Sequence, residues 1–347
     1  MSESTSITTR GLSPCVTGAV AIGRNEGERL QACLQSLTGH FARIVYVDSG
    51  STDGSVEFAH SLGIEVVELD MSKPFTMARG RNAGFSRLAE LVPEVEYVQF
   101  VDGDCEVDSK WIPAAVSAMQ QELSLGSVCG HRTELFPERS LYNRLTDMDW
   151  RGPTGEVSFC GGDVLMRSSA FRQCKGYQEQ MIAGEDPEIC VRLRELGWIL
   201  RRLDLPMTRH DVAMLHFGQW WKRSLRSGHA YAEGAWMHRH STERPWRHNV
   251  RRNFFWGLLL PAFIAATLLP SHGVSLTLCL LYPVWIWQIA RGRIRLYGDS
   301  AADAWLYGTY CMLGKFPSAL GQILFCWRMV AGQQSHLIEY KMAHSAK

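Results

Sequence analysis

Short apolar runs alternate with stretches of helical spacing through the N-terminal part of the chain. Leu30, Leu34 and Leu37 recur at helical intervals and predict a helix, as does the pattern over residues 77–91. Four apolar runs predict buried strands: residues 16–22, 44–47, 64–69 and 97–101. Strands that alternate with helices form parallel sheets with helices on both faces. The pattern therefore predicts an α/β fold with a doubly wound, mostly parallel sheet.

Two carboxylates one residue apart end the fourth predicted strand. Asp102 and Asp104 are expected at the carboxyl edge of the sheet, where open α/β sheets bind their ligands. Hard divalent cations take such oxygens and usually share them with substrate phosphates. The pair therefore predicts a metal site, and the alternative for an isolated Asp-x-Asp is a solvated turn.

The first two strands also end in polar residues. Asn25 and Glu26 follow the first strand, and a run of small and acidic residues, 48–54, follows the second. Within this run Ser51 or Asp53 is the predicted cap of the next helix. The polar side chains thus gather at one edge of the sheet, as a binding site requires.

Asp48 and Arg81 lie near the same predicted edge. Asp48 is expected to accept a hydrogen bond from a nucleotide base or ribose, and the alternative is an Asx turn around Gly50. Arg81, near the start of the helix 77–91, is expected to pair with a phosphate, and the alternative is a solvated arginine in the first turn.

A third acidic pair precedes another helix. Glu185 and Asp186 are followed by Pro187, which suits the first helical position, and by apolar residues at helical spacing. Carboxylates at a helix N-terminus are stabilised by the helix dipole. The pair is therefore either a helix cap or a source of general-base chemistry.

The chain becomes strongly apolar after Arg252. Residues 254–269 and 274–290 are two apolar stretches separated by a predicted turn, and arginines flank their outer ends. This arrangement predicts a membrane hairpin with both ends in the cytoplasm, and the alternative is a buried or interfacial hairpin. A further apolar stretch, 305–329, contains Lys315 and Pro317 and is expected to be re-entrant, interfacial or amphipathic.

A basic segment rich in tryptophan, residues 219–240, precedes the hairpin. An amphipathic basic helix with tryptophans suits a membrane surface. It could equally gate an active site or contact the phosphate of a lipid-linked acceptor, and a plain surface helix packed on the catalytic domain is the remaining alternative.

Composition limits the remaining classes of function. The chain has 347 residues and a net charge of +1, which gives no electrostatic support for nucleic-acid binding. Ten cysteines without a Cys-x-x-Cys pair indicate a reducing compartment and no disulfide framework. Residues 1–14 are polar, lack the apolar core of a secretory signal and are expected to form a disordered tail.

Six motifs follow one another along the chain: Asn25-Glu26, residues 48–54, residues 78–84, Asp102-Gly103-Asp104, Gly161-Gly162-Asp163 with Arg167, and Gly184-Glu185-Asp186. Taken in this order, they resemble the motifs of family-2 nucleotide-sugar glycosyltransferases with the GT-A fold, of the membrane-associated bacterial type. The resemblance spans about residues 16–216. Two positions depart from the family pattern, Arg24 and Ser49, and both lie where the family holds the nucleotide base.

The resemblance implies a role for each matched residue. Asp186 is the expected general base, with Glu185 beside it. A divalent metal, Mn²⁺ or Mg²⁺, is expected on Asp104 and Asp102, with His216 as the first choice for a histidine ligand and His210 as the second. The residues expected to bind the donor are Asn25, Glu26, Asp48, Arg81, Asp102, Gly162 and Asp163.

The predicted organisation is a catalytic domain, 15–218, a linker helix, 219–252, and a membrane-associated helical region, 253–347. The resemblance implies an inverting transfer from a nucleoside-diphosphate sugar to a glycan or lipid-linked acceptor, in cell-surface polysaccharide or glycolipid synthesis. The enzyme is expected at the inner membrane, in contact with lipids, with its catalytic domain on the cytoplasmic face.

Residues 219–223 lack the Gln-x-x-Arg-Trp signature of processive relatives, which favours transfer of a single sugar. The alternatives are a catalytically inactive nucleotide- or glycan-binding scaffold and a nucleotidyltransferase.

Overall fold

The computed structural model describes residues 16–332. The predicted disordered tail, 1–14, and residues 333–347 of the predicted membrane-associated region lie outside the described residues. The strands are β1 (Thr17–Gly23), β2 (Arg43–Asp48), β3 (Glu65–Glu68), β4 (Tyr97–Asp102), β5 (Cys105–Val107), β6 (Leu125–Glu134), β7 (Gly155–Glu156), β8 (Val164–Arg167) and β9 (Ile199–His210). The α-helices are α1 (Glu28–Leu37), α2 (Ser55–Ser61), α3 (Met77–Leu91), α4 (Trp111–Gln121), α5 (Leu141–Trp150), α6 (Ser168–Gln173), α7 (Glu185–Glu195), α8 (Phe217–Met237), α9 (Arg247–Phe254), α10 (Leu260–Thr267), α11 (Leu281–Tyr297), α12 (Ala301–Leu313) and α13 (Lys315–Val330).

The nine strands of the described residues form a single sheet between Thr17 and His210, in the order β3-β2-β1-β4-β8-β6-β9-β5 with β7 paired to β9. Strands β1 to β4 pair in parallel, as do β6 and β9, whereas β8 and β5 run antiparallel to their neighbours. The four predicted strands and the two predicted helices α1 and α3 are present with nearly the expected bounds. The α/β fold with a mostly parallel sheet is therefore confirmed.

Helix α3 lies directly on the sheet and brings its first turns to the carboxyl edge. Thr76 caps the helix, and its hydroxyl accepts a hydrogen bond from the Arg79 N–H at 3.1 Å. Gly84 allows the close approach, because a Cβ at this position would collide with Val20 and Val47. Arg81 is thereby held beneath the ends of the strands.

The start of α2 differs from the prediction. Gly54, in a left-handed conformation at φ 83°, is the cap residue in place of Ser51 or Asp53. Asp53 still contributes, because its Oδ1 accepts a hydrogen bond from the Ser55 N–H at 3.1 Å. The glycine permits a tight turn that an ordinary cap residue would enter only with strain.

The C-terminal helices pack against the sheet-containing region through α8, which contains most of the predicted basic segment. Glycines allow α8 and α13 to approach closely. A Cβ at Gly228 would collide with the backbone of Ser318, and one at Gly321 would collide with the backbone of Leu225. The helical region is therefore joined to the rest of the described structure by a tight helix–helix contact.

The two predicted apolar stretches are helical and are joined by a turn over residues 268–273. The first belongs to a helix that begins at Arg247 and includes a π-helical turn, Phe255–Leu259, before Pro261. The second begins with 3₁₀ turns, Val274–Leu280, and continues as α11. Among the described residues one helical segment, Val274–Tyr297, is long and apolar enough to cross a membrane.

Helices α12 and α13 occupy the third predicted apolar stretch. Large apolar side chains on the helical region remain exposed to solvent, including Leu280, Trp287, Leu296 and Trp327. An apolar surface of this kind commonly marks contact with lipid or with another protein. The helical region therefore gives a structural hint of membrane association.

Candidate active site

A cleft of about 710 Å³ opens at the carboxyl edge of the sheet. Asp102, Asp163 and Asp186 line one part of it, together with Arg81 and His210. Arg223, Arg226, Tyr231, Trp246 and Tyr297, which come from α8 and the C-terminal helical region, line another part. The cleft is therefore built by both the sheet and the helices that follow it.

Asp104 is paired with a histidine within the described structure. Strand β9 ends at His210, which lies opposite Cys105 in the antiparallel pair of β9 and β5. Its Nε2 is 2.7 Å from Oδ2 of Asp104. Both side chains are buried, and Nδ1 of His210 has no hydrogen-bond partner among the described residues. Topology thus brings together two potential metal ligands that are far apart in the sequence.

His216, the first choice for a histidine ligand, lies elsewhere. It is exposed at the N-cap of α8. The Gln219 side chain accepts hydrogen bonds from the N–H groups of Leu215 and His216 at 2.8 and 2.9 Å. The structure therefore places His210, the second choice, beside Asp104 and places His216 at the start of a helix.

Arg81 joins three carboxylates at the floor of the cleft. Its guanidinium lies 2.7 Å from Asp102, 2.8 Å from Glu185 and 3.0 Å from Asp186. The side chain is only 1% exposed, which excludes the solvated arginine that was the alternative. The ring of Tyr177 lies 5.4 Å from the guanidinium carbon and covers it further. Arg81 thus links the end of β4 to the start of α7.

Asp163 is a buried carboxylate that, like Arg81, contacts several residues of the site. Its carboxylate accepts hydrogen bonds from the Asp102 N–H at 3.1 Å and from the Thr208 hydroxyl at 2.7 Å, and it pairs with Arg132 at 2.7 Å. Burial alone would raise the pKa of Asp163, but the charges of Arg132 and His210 and these hydrogen bonds lower it instead. Asp163 is therefore an ionised residue that holds the turn at Asp102.

Gly162 leaves room for the guanidinium of Arg81. A Cβ at this position would collide with Arg81 and would lie 3.3 Å from Oδ2 of Asp102. Its neighbour in the motif, Asp163, is the buried carboxylate described above. The Gly-Gly-Asp motif therefore supports the pair of Arg81 and Asp102, and donor binding by these residues stays a prediction.

Asp48 forms the Asx turn that was the alternative to a base contact. Its Oδ2 accepts hydrogen bonds from the N–H groups of Gly50 and Ser51, both at 2.8 Å. Its Oδ1 accepts from the Tyr46 hydroxyl at 2.9 Å. All of these partners are local and the side chain is buried, so a role of Asp48 in donor binding stays a prediction.

Asn25 and Glu26 belong to a loop that is bonded to the end of β2. Oδ1 of Asn25 accepts a hydrogen bond from the Thr52 N–H at 2.7 Å, and the Asn25 N–H donates to Ser51 at 2.9 Å. Glu26 pairs with Arg29 at 2.7 Å. These contacts place both residues at the predicted edge, while their contact with a donor stays a prediction.

Asp186 lies at the N-terminus of α7, as predicted, with Gly184 at φ 85° before the helix. Glu185 is buried, whereas 23% of the Asp186 side chain is exposed towards the cleft. The pKa of Asp186 is raised to about 7, chiefly because the surrounding protein excludes water from its carboxylate, an effect that outweighs the nearby charge of Arg81. A carboxylate with such a pKa can exchange a proton near neutral pH.

Sequence reasoning missed Arg132, Trp150 and Thr208. Arg132 and Thr208 hold Asp163, and the indole of Trp150 stacks on His210 with ring centroids 4.9 Å apart. None of the three belongs to a local motif. They reach the site only through the pairing of β6 with β9 and the packing of α5, which a single sequence does not reveal.

Comparison with known proteins is consistent with this geometry. Residues 20–176 match the family described as Glycosyl transferase family 2. Over 190 residues the chain is 29% identical to succinoglycan biosynthesis protein ExoA of Rhizobium meliloti (strain 1021), covering 50% of this chain and 56% of that protein. Over 212 residues it is 29% identical to pre-mycofactocin glycosyltransferase of Mycobacterium tuberculosis (strain CDC 1551 / Oshkosh), covering 54% of this chain and 41% of that protein. The chain thus spans about half the length of these relatives.

A solved structure shares the fold over most of the chain. The mannosyltransferase PcManGT from Pyrobaculum calidifontis, in complex with GDP-Man and Mn²⁺, superposes with a TM-score of 0.57 at 13% sequence identity. The match covers 88% of this chain and 86% of that one. At this identity the likeness shows the fold alone. Residues 20–176 thus match a glycosyl transferase family 2 domain, and the described residues have a GT-A-like fold followed by a helical region.

Proposed function

We propose that the protein is a metal-assisted, inverting glycosyltransferase that moves a single sugar from a nucleoside-diphosphate sugar to an acceptor hydroxyl. The observation that carries the proposal is that His210, which is paired with Asp104, lines the same cleft as Asp186. Asp104 and His210 supply ligands for a cation, and Asp186 supplies a base. A domain of family 2 with both groups in one cleft fits a sugar transfer better than binding alone.

The side chains present fit a divalent cation. The ligand atoms of Asp104, Cys105 and His210 lie within 4.8 Å of one another, as do those of Asp102, Cys105 and Asp163. Carboxylate and imidazole ligands suit Mn²⁺, and carboxylates also suit Mg²⁺. We assign Asp104 and His210 as ligands, with Asp102 beside them. A bound cation would neutralise the charge of the departing diphosphate.

Asp186 is assigned as the general base. It lies in the cleft with part of its side chain exposed, and Arg81, which also pairs with Glu185, fixes its position. The ionised carboxylate accepts the proton of the acceptor hydroxyl as that oxygen attacks the anomeric carbon. Direct displacement of this kind inverts the configuration at that carbon.

The acceptor is assigned as a glycan or a lipid-linked glycan, in the synthesis of a cell-surface polysaccharide or glycolipid. The similarity to a succinoglycan biosynthesis protein supports this assignment. The helical wall of the cleft supports it too, because Tyr231, Trp246 and Tyr297 offer aromatic surfaces on which a sugar can stack. A membrane position would bring such acceptors within reach.

A substitution at Asp104 tests the metal assignment. Asp104→Asn retains the size of the side chain and leaves an acceptor for His210, but it removes the charged ligand. We expect donor hydrolysis to lose its dependence on Mn²⁺ and to fall by at least about 10²-fold, a loss comparable with that of an essential electrostatic group. Manganese titrations of wild type and variant, made on the same batch of a screened nucleotide sugar, measure this. Manganese-dependent turnover near the wild-type rate would overturn the assignment.

Washing of membranes tests the proposed location at the inner membrane, with the catalytic region on the cytoplasmic face. We expect the full-length protein to stay in the membrane fraction in 1 M salt, where the screening length is only about 3 Å, and to be released by detergent. Burial of apolar surfaces such as that of Val274–Tyr297 does not depend on screened charge. If salt alone released the protein, attachment would rest on its surface arginines, and insertion of the helical region would be excluded.

A further inference from the structure

The end of helix α5 connects the candidate metal site to the C-terminal helical region. Trp150 is the last residue of this helix and lines the cleft. Its ring stacks on the ring of His210, with centroids 4.9 Å apart and an angle of 36° between the planes. The guanidinium carbon of Arg132 lies 5.4 Å from the centre of the same indole. One aromatic side chain therefore contacts both the partner of Asp104 and the partner of Asp163.

The two neighbours of Trp150 are bonded to the C-terminal helices. The Tyr307 hydroxyl on α12 donates to Oδ1 of Asp149 at 2.7 Å. Arg151 donates to Oδ1 of Asp299, in the turn between α11 and α12, at 2.8 Å. These bonds lie on either side of Trp150 in the sequence, so the helical region restrains the backbone on both sides of the indole.

A buried arginine, Arg293, joins the turn at Asp299 directly to the last turn of α5. Arg293, on α11, donates to Oδ2 of Asp299 at 2.6 Å and to the backbone oxygen of Met148 at 3.2 Å. Its guanidinium also lies 4.5 Å from the centre of the Tyr307 ring. Arg293 and Asp299 are both buried. The contacts thus form a continuous chain from α11, which belongs to the one described segment long and apolar enough to cross a membrane, to the end of α5.

We infer that Trp150 is a positioning residue that holds His210 and Arg132 in place, and that Trp150 is held by Tyr307 of α12 and by Asp299 in the turn that joins α11 and α12. The inference deepens the proposed function and rests on it for the identity of the metal site. It assigns a role in the site to a helical region that lies outside the matched family domain. The geometry of the Asp104–His210 pair would then depend on how the helical region packs against α5, and hence on the membrane around that region.

Direct replacement of Trp150 tests the first half of the inference, with Mn²⁺ alone as the probe. Mutation of a residue that supports a metal ligand typically lowers metal affinity by about 10–100-fold. We expect Trp150→Leu to weaken Mn²⁺ binding by about 10-fold, and Trp150→Phe to restore most of the affinity because it keeps an aromatic face. Binding is measured by electron paramagnetic resonance of free Mn²⁺ on the full-length protein in detergent. Amide hydrogen exchange over residues 208–211 is measured in the same samples without metal.

A second variant tests whether the C-terminal helices hold Trp150. A matched control shows whether the loss of any bond between α5 and α12 would have the same effect. Tyr307→Phe combined with Arg151→Gln removes both bonds beside Trp150 and leaves the buried pair of Arg293 and Asp299 intact. The control, Arg144→Gln, removes a bond of 3.2 Å to Asp303 that joins the same two helices further from the indole. We expect weaker Mn²⁺ binding and faster exchange over residues 208–211 in the double variant, and wild-type behaviour in the control.

Each result decides the inference. Wild-type affinity and exchange in Trp150→Leu would overturn the positioning role. A double variant that behaves like the control would overturn the link to the helices. If the wild-type protein bound no Mn²⁺, the metal site of the proposed function would fail, and amide exchange over residues 208–211 would then decide the role of Trp150 by itself. Melting temperatures of all variants identify any that are unfolded.

Discussion

Replacing Asp186 by asparagine will lower sugar transfer by about 10²–10⁴-fold while donor binding stays close to that of the wild type. Asparagine keeps the hydrogen bond to Arg81 but cannot accept the proton of the acceptor. Isothermal calorimetry with the donor and a product assay on the same preparation separate the two effects. Glu195→Gln, an exposed change at the other end of the same helix, is the matched control.

The pH dependence of the wild-type enzyme provides a second test of Asp186. Its pKa is about 7, and the base acts only when ionised, so kcat/KM is expected to rise between about pH 6 and pH 8 and then to level off. The Asp186→Asn variant should lack this rise. If binding and transfer fell together in the variant, or if it kept the same pH profile, Asp186 would have a structural role or bind the donor.

Replacing Arg81 by methionine should destabilise the fold by about 3–5 kcal/mol, the range seen when one partner of a buried ion pair is removed. The methionine leaves three carboxylates around a buried space without a cation: Asp102, Glu185 and Asp186. Chemical unfolding followed by circular dichroism measures the loss. Because these carboxylates line the site, activity should be lost even under conditions in which the variant is folded.

Arg79 provides the control for this variant. It lies on the same helix two residues earlier and donates to backbone oxygens of Asp70, Lys73 and Pro74. Arg79→Met removes hydrogen bonds without leaving a buried charge, so about 1 kcal/mol is expected. Equal losses of stability in the two variants would show that Arg81 does not hold the carboxylates together.

Local patterns predicted much of the fold. The apolar runs placed β1 to β4 close to their observed bounds, and the spacing of Leu30, Leu34 and Leu37 placed α1, because burial on a sheet imposes a period that the sequence must carry. The same reasoning placed Asp186 at the start of α7 through Pro187. The cap of α2 is Gly54 and not Ser51 or Asp53, because the cap position has a left-handed conformation that glycine adopts without strain.

The candidate site was less predictable, because its contacts join distant segments. Arg81 was expected at the correct edge, but its three carboxylate partners come from the end of β4 and the start of α7, which are far apart in the sequence. The choice between His210 and His216 depended on where β9 ends, and its pairing with β5 brings His210 to Asp104. No local sequence motif marks Trp150 as a residue of the site. Only the packed structure shows that it touches His210 and Arg132.

The central claim is a metal-assisted transfer from a nucleotide sugar, and a screen of the full-length protein tests it most directly. A panel of nucleoside-diphosphate sugars is incubated with Mn²⁺ and, in parallel, with a chelator, and the released nucleotide is identified. We expect at least one donor to release its nucleoside diphosphate only when Mn²⁺ is present. Binding of a donor without any turnover would favour an inactive scaffold, and formation of pyrophosphate from a nucleoside triphosphate and a sugar phosphate would favour a nucleotidyltransferase. Either result, or release that is equal with the chelator, would contradict the proposed function.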